Sequence, residues 1–185
     1  MITDVAITPG TATVVVTLAK AKKHLRVDAS FTEEDDIIQD YIDASVAMAE
    51  NFIGGHILDK NMVIKMTAFD NPLVFEAFPV KAVASVSYFP EGSDEAQVLD
   101  AESYVLNSET TNRYKLRFKG DLPATATRED AVTVTINIGM ATATVPKPIY
   151  QSVLLLVADM FERREDRSEV ITTTSAALLR PYKKY

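Results

Sequence analysis

Four consecutive acidic residues, Glu33 to Asp36, are the first candidates for chemistry in this sequence. Carboxylates at this density can hold a hard cation or supply an acid and a base. They also directly follow Thr32, and Thr32 with Asp35 fits the S/T-x-x-D/E pattern of a helix capping box, where the positive helix end stabilises acids. Capping explains the acids without an ion, so the pattern favours a structural role and we predict no metal site here.

Histidine, cysteine and glycine offer no further catalytic pattern. His24 and His56 are the only histidines, and neither lies in an H-x-x-x-H, H-E-x-x-H or Ser-His-Asp arrangement. The chain has no cysteine, which excludes disulfides and thiolate sites, and its six glycines form no phosphate-binding loop. The sequence therefore predicts no enzyme, no catalytic residue and no cofactor. An enzyme with an unfamiliar site is the alternative with the least support.

Charge limits the possible partners. The formal charge of -7 over 185 residues argues against a protein whose main task is to coat nucleic acid. Two local basic clusters are nevertheless present. Each is typical of a solvated face, and each also permits phosphate contacts. A small nucleic-acid-binding module that uses the first predicted helix is therefore the alternative function. The clusters are Lys20, Lys22, Lys23 and Arg26, and Arg113, Lys115, Arg117 and Lys119.

Hydropathy predicts no association with a membrane. The start of the sequence, MITDVAITPG, has an acid where a secretion signal has bases, so we expect no targeting segment. The longest apolar run, Val153 to Ala158, is far below the roughly 20 residues of a membrane-spanning helix. We therefore expect a soluble protein that is made in the cytoplasm of its host cell and is not exported by that route.

Helical periodicity is confined to the two ends of the chain. A first helix is expected after Thr17, an N-cap residue, with its basic residues facing water or a partner. A second follows the capping box and stops at Gly54, and its helical spacing predicts one core stripe of Ile38, Tyr41, Ile42, Ser45, Met48, Ala49, Phe52 and Ile53. Pro148 suits the first turn of a third helix, and a short fourth is expected at residues 175–179.

The hydrophobic period changes to two between residues 62 and 139. Tyr114, Leu116 and Phe118 alternate with basic residues, which is typical of antiparallel strands with one solvated face. Together these patterns predict an α+β fold with about four helices. We expect one domain over residues 1–185, in which a helical body, residues 17–55 and 146–182, carries an inserted antiparallel β subdomain at residues 60–140.

The third predicted helix is apolar on two sides. Its first stripe can face the core. The second then needs the β subdomain or a neighbouring subunit, because contiguous exposed apolar residues are unusual on a monomer. The mixed charges that follow are either a solvated helix end or a self-complementary rim between subunits. The predicted subunit-interface residues are Leu154, Leu155, Phe161, Arg163, Arg164 and Glu165.

Four segments occur in an order that resembles a known family. The resemblance is to the head-tail connectors of tailed double-stranded DNA bacteriophages, also called adaptor or DNA-packaging proteins. It covers both ends of the chain. In the middle, the chain has Phe118-Lys119-Gly120 where an aromatic residue directly before proline is expected. The segments are 17-TLAKAKKHLRVD-28, 35-DDIIQDYIDASVAMAENFIGG-55, 145-VPKPIYQSVLLLVADMFERRED-166 and 178-LLRPYKKY-185.

The resemblance implies a structural protein of a phage or prophage virion. Such connectors form a ring of about a dozen copies under the portal protein, extend the DNA channel at the head-tail junction and bind the head-closure or tail protein. DNA passes without sequence-specific binding, so an acidic chain is compatible with this role. The C-terminal tail is expected to order on meeting the portal. The predicted portal or partner docking residues are Lys20, Lys23, Arg26, Arg180, Tyr182, Lys183, Lys184 and Tyr185.

Overall fold

A computed structural model describes residues 1–10, 14–164 and 174–184. These residues form four α-helices and two antiparallel sheets, so the fold is α+β, as predicted. The chain divides into two compact units. The strand unit consists of Met1–Ala12 and Asp59–Met140, and the helical unit consists of Thr13–Leu58 and Ala141–Tyr185.

The helical unit has α3 at its centre. This helix packs against the other three, and its apolar residues therefore meet helices on several sides. Pro148 lies in its first turn, as predicted, where the missing N–H costs nothing. The helices are α1 (Leu18–Leu25), α2 (Asp35–Ile53), α3 (Lys147–Glu162) and α4 (Thr174–Leu179), and a 3-10 turn at Arg180–Tyr182 follows α4.

The ends of α1 and α2 follow local chemistry. The Thr17 hydroxyl accepts a hydrogen bond from the Lys20 amide at 3.4 Å, which confirms the predicted N-cap. Arg26 closes α1 in the left-handed conformation, with φ 60°. Gly54 closes α2 at φ 68°, a backbone conformation in which glycine has no steric penalty, and its amide donates to the Glu50 carbonyl.

The predicted capping box at the start of α2 is wrong. Glu34 holds the N-cap position without a side-chain cap, and Thr32 contributes only its carbonyl oxygen, which accepts from the Asp35 amide at 3.2 Å. The Asp35 carboxylate is instead bound by Lys22 at 2.7 Å. A charged donor offers a carboxylate a stronger hydrogen bond than a backbone amide does, so the ion pair replaces the reciprocal cap.

The basic cluster predicted that Lys22 would face water or a partner. The structure shows instead that Lys22 is buried. Only 5% of the residue is exposed. Its ammonium donates to the carbonyl oxygens of Ala29 at 3.1 Å and Phe31 at 2.6 Å, and to Asp35. Three acceptors match the three donors of a lysine, so the buried charge is fully paired. The contact joins α1, the loop after it and the first turn of α2.

The strand unit contains two antiparallel sheets. The larger has the order β1-β2-β8-β4-β5, and the smaller has the order β3-β7-β6. The predicted alternation in β7 and β8 is confirmed. The strands are β1 (Ile2–Pro9), β2 (Lys60–Met66), β3 (Leu73–Glu76), β4 (Val80–Tyr88), β5 (Gln97–Val98), β6 (Tyr104–Ser108), β7 (Arg113–Phe118) and β8 (Val132–Ile138).

The core of the strand unit is built from alternate residues of these strands. In the centre of the large sheet Val134 of β8 lies between Ile64 of β2 and Val86 of β4, and all three are fully buried. Leu116 and Phe118 of the small sheet belong to the same cluster. Burying a large apolar side chain fully contributes roughly 1.5–3 kcal/mol, so this cluster is sufficient to hold the two sheets together.

Two strands, β1 and β5, were absent from the predicted pattern. β1 pairs with β2 along its length, yet nearly all of its residues are exposed. Val5 and Ile7 are opposite Ile64 and Met62, so they lie on the apolar face of the sheet. Both are nevertheless exposed, because they lie at the edge of that face. An edge strand of this kind need not alternate strictly, because neither face is buried. β5 has only two residues, too few for any periodicity.

Replacing Lys22 with Met tests the junction between α1 and α2. The Asp35 carboxylate and the carbonyls of Ala29 and Phe31 would lose their donor, so we expect the free energy of unfolding to fall by about 1–3 kcal/mol. Urea denaturation followed by circular dichroism measures this change. Lys23→Met is the matched control, because Lys23 is exposed, and should shift stability by less than about 0.5 kcal/mol. Equal stability of the two variants would contradict the assignment.

Candidate assembly interface

The predicted interface on α3 is largely covered by the chain itself. Leu154 is 6% exposed, and Leu155 and Phe161 are half-buried. The stripe therefore has less free surface than the sequence pattern predicted, and its place in a subunit interface stays a prediction. The reason is that α3 is the central helix, packed against α1, α2 and α4.

The charged end of α3 also has a partner within its own unit. The Arg164 guanidinium forms an ion pair with Glu34, and this pairing raises the pKa of Arg164. The same guanidinium lies 5.5 Å from the centre of the Phe161 ring. Arg163 is exposed, and Glu165 lies outside the described residues. In the described part of the predicted rim, Glu162 and Arg163 are exposed without such a contact.

A line of uncovered apolar surface in the helical unit lies on α2. Ile37 is 38% exposed and Met48 is 48% exposed, whereas the sequence pattern had placed Met48 on the core stripe. Ala44 is also exposed, and Tyr41 and Phe52 are half-buried. Steps of three and four residues put all five on one line along the helix. We call this line, formed by Ile37, Tyr41, Ala44, Met48 and Phe52, the α2 stripe.

Acidic residues border the α2 stripe on its solvent side. Asp36, Asp40 and Asp43 are exposed and follow one another at steps of four and three. The opposite border is the buried face of the helix, which includes Ser45 and Ala49. The stripe is thus an apolar surface with an anionic margin. The signal in the sequence is that Ile37 directly precedes Ile38, since neighbouring residues on a helix point about 100° apart and widen the apolar face.

An open groove lies along α1, and Lys23 is the exposed basic residue that lines it. Lys20, Lys23 and Arg26 are exposed, and in the described part of the chain none of them forms a salt bridge. The groove has a volume of about 540 Å³. We call it the α1 groove. Leu18, Ala19, Val27 and Ala29 supply its apolar lining, Lys23 and Asp28 line it as well, and the Lys22–Asp35 ion pair completes it.

The C-terminal segment is packed on α2, contrary to the expectation that it orders only on the portal. The Lys184 amide donates to the Ile53 carbonyl at 2.8 Å, and the Lys183 ammonium lies 5.3 Å from the Phe52 ring centre. Arg180 is exposed and Tyr182 is half-buried. Tyr185 lies outside the described residues. The orphan carbonyls at a helix C-terminus need donors, and this segment supplies one.

The second basic cluster, on β7, is partly neutralised by its surroundings. Arg113 forms a salt bridge with Glu109 at 3.4 Å, and Lys115 pairs with the same carboxylate. The Lys119 ammonium donates to the Glu102 carbonyl at 3.1 Å. Arg117 is exposed without such a contact among the described residues. A face whose cations are held this way is poorly suited to neutralising several phosphates at once.

The described residues contain no cluster of three or more metal-ligating His, Cys, Asp or Glu side chains. Within the acidic run, Glu34 and Asp35 are each bound by a cation of the chain. His24 and His56 are half-buried and lie apart in sequence. Where the structure is described, it also has no helix that is both long and apolar enough to span a bilayer.

Comparison with known families identifies the class of protein. A family model described as phage gp6-like head-tail connector protein matches residues 15–128, which is more than half of the chain. The chain therefore belongs to the phage gp6-like head-tail connector family, as the order of its segments had indicated. The family is one of structural connector proteins. No curated protein matches the sequence.

Solved structures share the fold across nearly the whole chain. A chain in the virion of a native gene transfer agent (GTA) particle has a TM-score of 0.71 at 21% identity, with 97% of this chain and 95% of that chain covered. A chain in the neck of an empty GTA particle, computed with C6 symmetry, has a TM-score of 0.72 at 20% identity and coverages of 97% and 96%. A chain in the neck of a native GTA particle, computed with C12 symmetry, gives 0.68 at 18% identity with the same coverages.

Alanine substitutions should distinguish the two apolar surfaces. Leu154→Ala removes buried methyl groups from the centre of the helical unit, so we expect a loss of about 2–5 kcal/mol in the free energy of unfolding. Met48→Ala removes an exposed side chain and should cost less than about 0.5 kcal/mol. Urea denaturation of both variants measures the difference. If Leu154→Ala were as stable as Met48→Ala, the central place of α3 would be wrong.

The hydrogen bond that holds the C-terminal segment on α2 can be tested by mutation. Lys184→Pro removes the amide that donates to Ile53, and Lys183 already has the extended backbone, with φ -65° and ψ 132°, that proline requires of the preceding residue. We expect a loss of about 0.5–1.5 kcal/mol relative to Lys184→Ala, which keeps the amide. Denaturation of the two variants in parallel checks this. Identical midpoints would show that the hydrogen bond does not hold the segment.

Proposed function

We propose that this protein is a structural subunit of a ring at the head-tail junction of a phage or phage-like particle. About a dozen copies stack under the portal protein, extend the DNA channel and present a face to the head-closure or tail protein. The observation that carries the proposal is the fold, which family membership and 97% coverage by chains of GTA particles support together. Two of those chains come from necks computed with C6 and C12 symmetry.

A cyclic ring makes a specific demand on each copy. Every subunit must offer two different and complementary surfaces, because a contact between identical surfaces closes as a dimer. The helical unit offers such surfaces in the α2 stripe with its acidic margin and the α1 groove with its cations. The half-buried Phe161 and the exposed Arg163 at the end of α3 can extend a contact of this kind, whereas Leu154 has little surface left to contribute.

The C-terminal segment is proposed as the docking site for the portal. Arg180 and Lys183 are exposed there, and Tyr182 adds an amphipathic ring to the same short stretch. Packing of Lys184 against Ile53 holds the segment in one conformation before a partner arrives, which reduces the ordering cost of binding. A chain of charge -7 is compatible with a channel through which DNA slides without being held.

Electron microscopy of the purified protein, alone and mixed with the portal protein of the same particle, tests the proposal. We expect closed rings with cyclic symmetry at high protein concentration or on the portal. The physical reason is that a weak contact repeated around a ring is reinforced when a partner holds several copies together. Light scattering on the same samples gives the number of copies.

Two outcomes would overturn the ring proposal. One is a protein that stays monomeric at all concentrations and does not bind the portal. The other is tight binding to duplex DNA at physiological salt with a steep salt dependence, which requires several phosphate contacts and would favour the nucleic-acid-binding alternative. Fluorescence anisotropy with labelled duplex DNA measures this second property.

A further inference from the structure

The two candidate surfaces of the helical unit are complementary in shape and in charge. We propose that the α2 stripe of one copy packs into the α1 groove of the next copy, and that this head-to-tail contact closes the ring. The inference rests on the proposed ring function and names the surfaces that build it. It assigns Lys20, Lys23 and Arg26 to a neighbouring copy rather than to the portal.

The α2 stripe has the form of an insertion surface. Apolar residues cover about 200° of the circumference of α2, because neighbouring residues on a helix differ by about 100° and the stripe continues directly into the buried face. The helical unit covers the part that contains Ile38 and Ile42. Ile37, Ala44 and Met48 remain exposed along nearly three turns. A contiguous apolar line of this length is typical of a helix that binds a groove.

The α1 groove has the form of a receiving surface. Its volume of about 540 Å³ lies within the range of roughly 300–1,000 Å³ that is common for sites that bury a ligand. Four of its lining residues are apolar, so side chains such as Ile37 and Met48 of another copy would leave water on entering it. Val14 and Phe31, which flank α1 in the sequence, are exposed as well.

The charges beside the two surfaces are opposite and similarly spaced. Asp36 to Asp43 spans seven residues of helix, or about 10 Å, and Lys20 to Arg26 spans six, or about 9 Å. Three acids can therefore face three cations when the stripe enters the groove. Pairs of this kind at the edge of an apolar contact set its orientation and speed its formation more than they add affinity.

The α1 groove is held in place by contacts within its own subunit, before any neighbour binds. The Lys22 ammonium binds Ala29, Phe31 and Asp35, and therefore holds α1 and its loop against the start of the helix that carries the stripe. Both surfaces thus belong to one preorganised body. A fixed angle between them is the condition under which successive head-to-tail contacts close into a ring.

Covalent trapping with single cysteines tests this contact, since the chain has no cysteine of its own. Ala19→Cys places a thiol in the α1 groove, and Ala44→Cys places one on the α2 stripe, both at small exposed positions. Each full-length variant is treated with a short bis-maleimide, alone and in an equal mixture, at about millimolar concentration, where contacts of weak affinity are populated. We expect covalent dimers in the mixture and at least several-fold fewer in either variant alone.

The same assay tests the charge pairing. Lys20→Glu with Lys23→Glu in the Ala19→Cys chain, or Asp36→Lys with Asp40→Lys in the Ala44→Cys chain, should each lower the dimer yield about tenfold, because like charges then face each other. Mixing the two charge-reversed chains should restore the dimer yield. Unfolding of a variant cannot imitate this recovery, since two unfolded chains would give no dimer.

Three results would overturn the proposed contact. The first is that the mixture forms no covalent dimers. The second is that the Ala44→Cys variant forms dimers alone, which would show a two-fold contact. The third is that the dimer yield does not recover when both charge sets are reversed. If rings are nevertheless seen by microscopy, the ring function stands and another surface closes it. If no ring and no portal binding are found, the proposed function fails whatever the cross-linking yields.

Discussion

The helical unit depends on one buried charge. A lysine ammonium removed from water is costly unless every donor finds an acceptor, and Lys22 meets this condition with two loop carbonyls and Asp35. Because Ala29 and Phe31 must keep their carbonyls directed at one point, the loop between α1 and α2 is held in a single conformation. The α1 groove is formed by this loop and by α1, so its shape follows from the same requirement. A hydrophobic residue at position 22 would fill the space without specifying where the loop goes.

The central position of α3 determines which apolar surface of the helical unit stays exposed. Both α2 and α3 have more apolar circumference than one contact can cover, and only one of them can be surrounded by the other helices. Ile149, Val153 and Val157 of α3 are fully buried, whereas Ile37 and Met48 of α2 remain exposed. Sequence periodicity reports how much apolar surface a helix has, but not which helix its neighbours enclose. The exposed apolar residues therefore lie mainly on α2, whereas the sequence pattern had pointed to α3.

Local chemistry explains which elements could be predicted. Thr17, Gly54 and Pro148 act on the backbone within a few residues, and the alternation in β7 and β8 reflects two faces of one strand, so these features are visible in the sequence. Apart from the two-residue strand β5, the features that the sequence did not predict depend on residues far away in the chain. Asp35 prefers a lysine 13 residues away to its own helix cap, and β1 is a strand because β2 offers it an edge. The segments that indicated the family succeeded because their order along the chain carries information that no single pattern holds.

In the proposed contact, the separation of the two signs of charge onto two surfaces would favour a ring over a two-fold dimer. If two α2 stripes met, Asp36, Asp40 and Asp43 would face the same acids, and if two α1 grooves met, their lysines would face lysines. Both symmetric contacts are opposed by like charges, whereas the mixed contact is not. The acidic surplus of the chain does not prevent this, since charges more than about 10 Å apart are largely screened at physiological salt and the facing charges decide. A contact that joins unlike surfaces always leaves one of each exposed, so addition continues until the first and last copies meet.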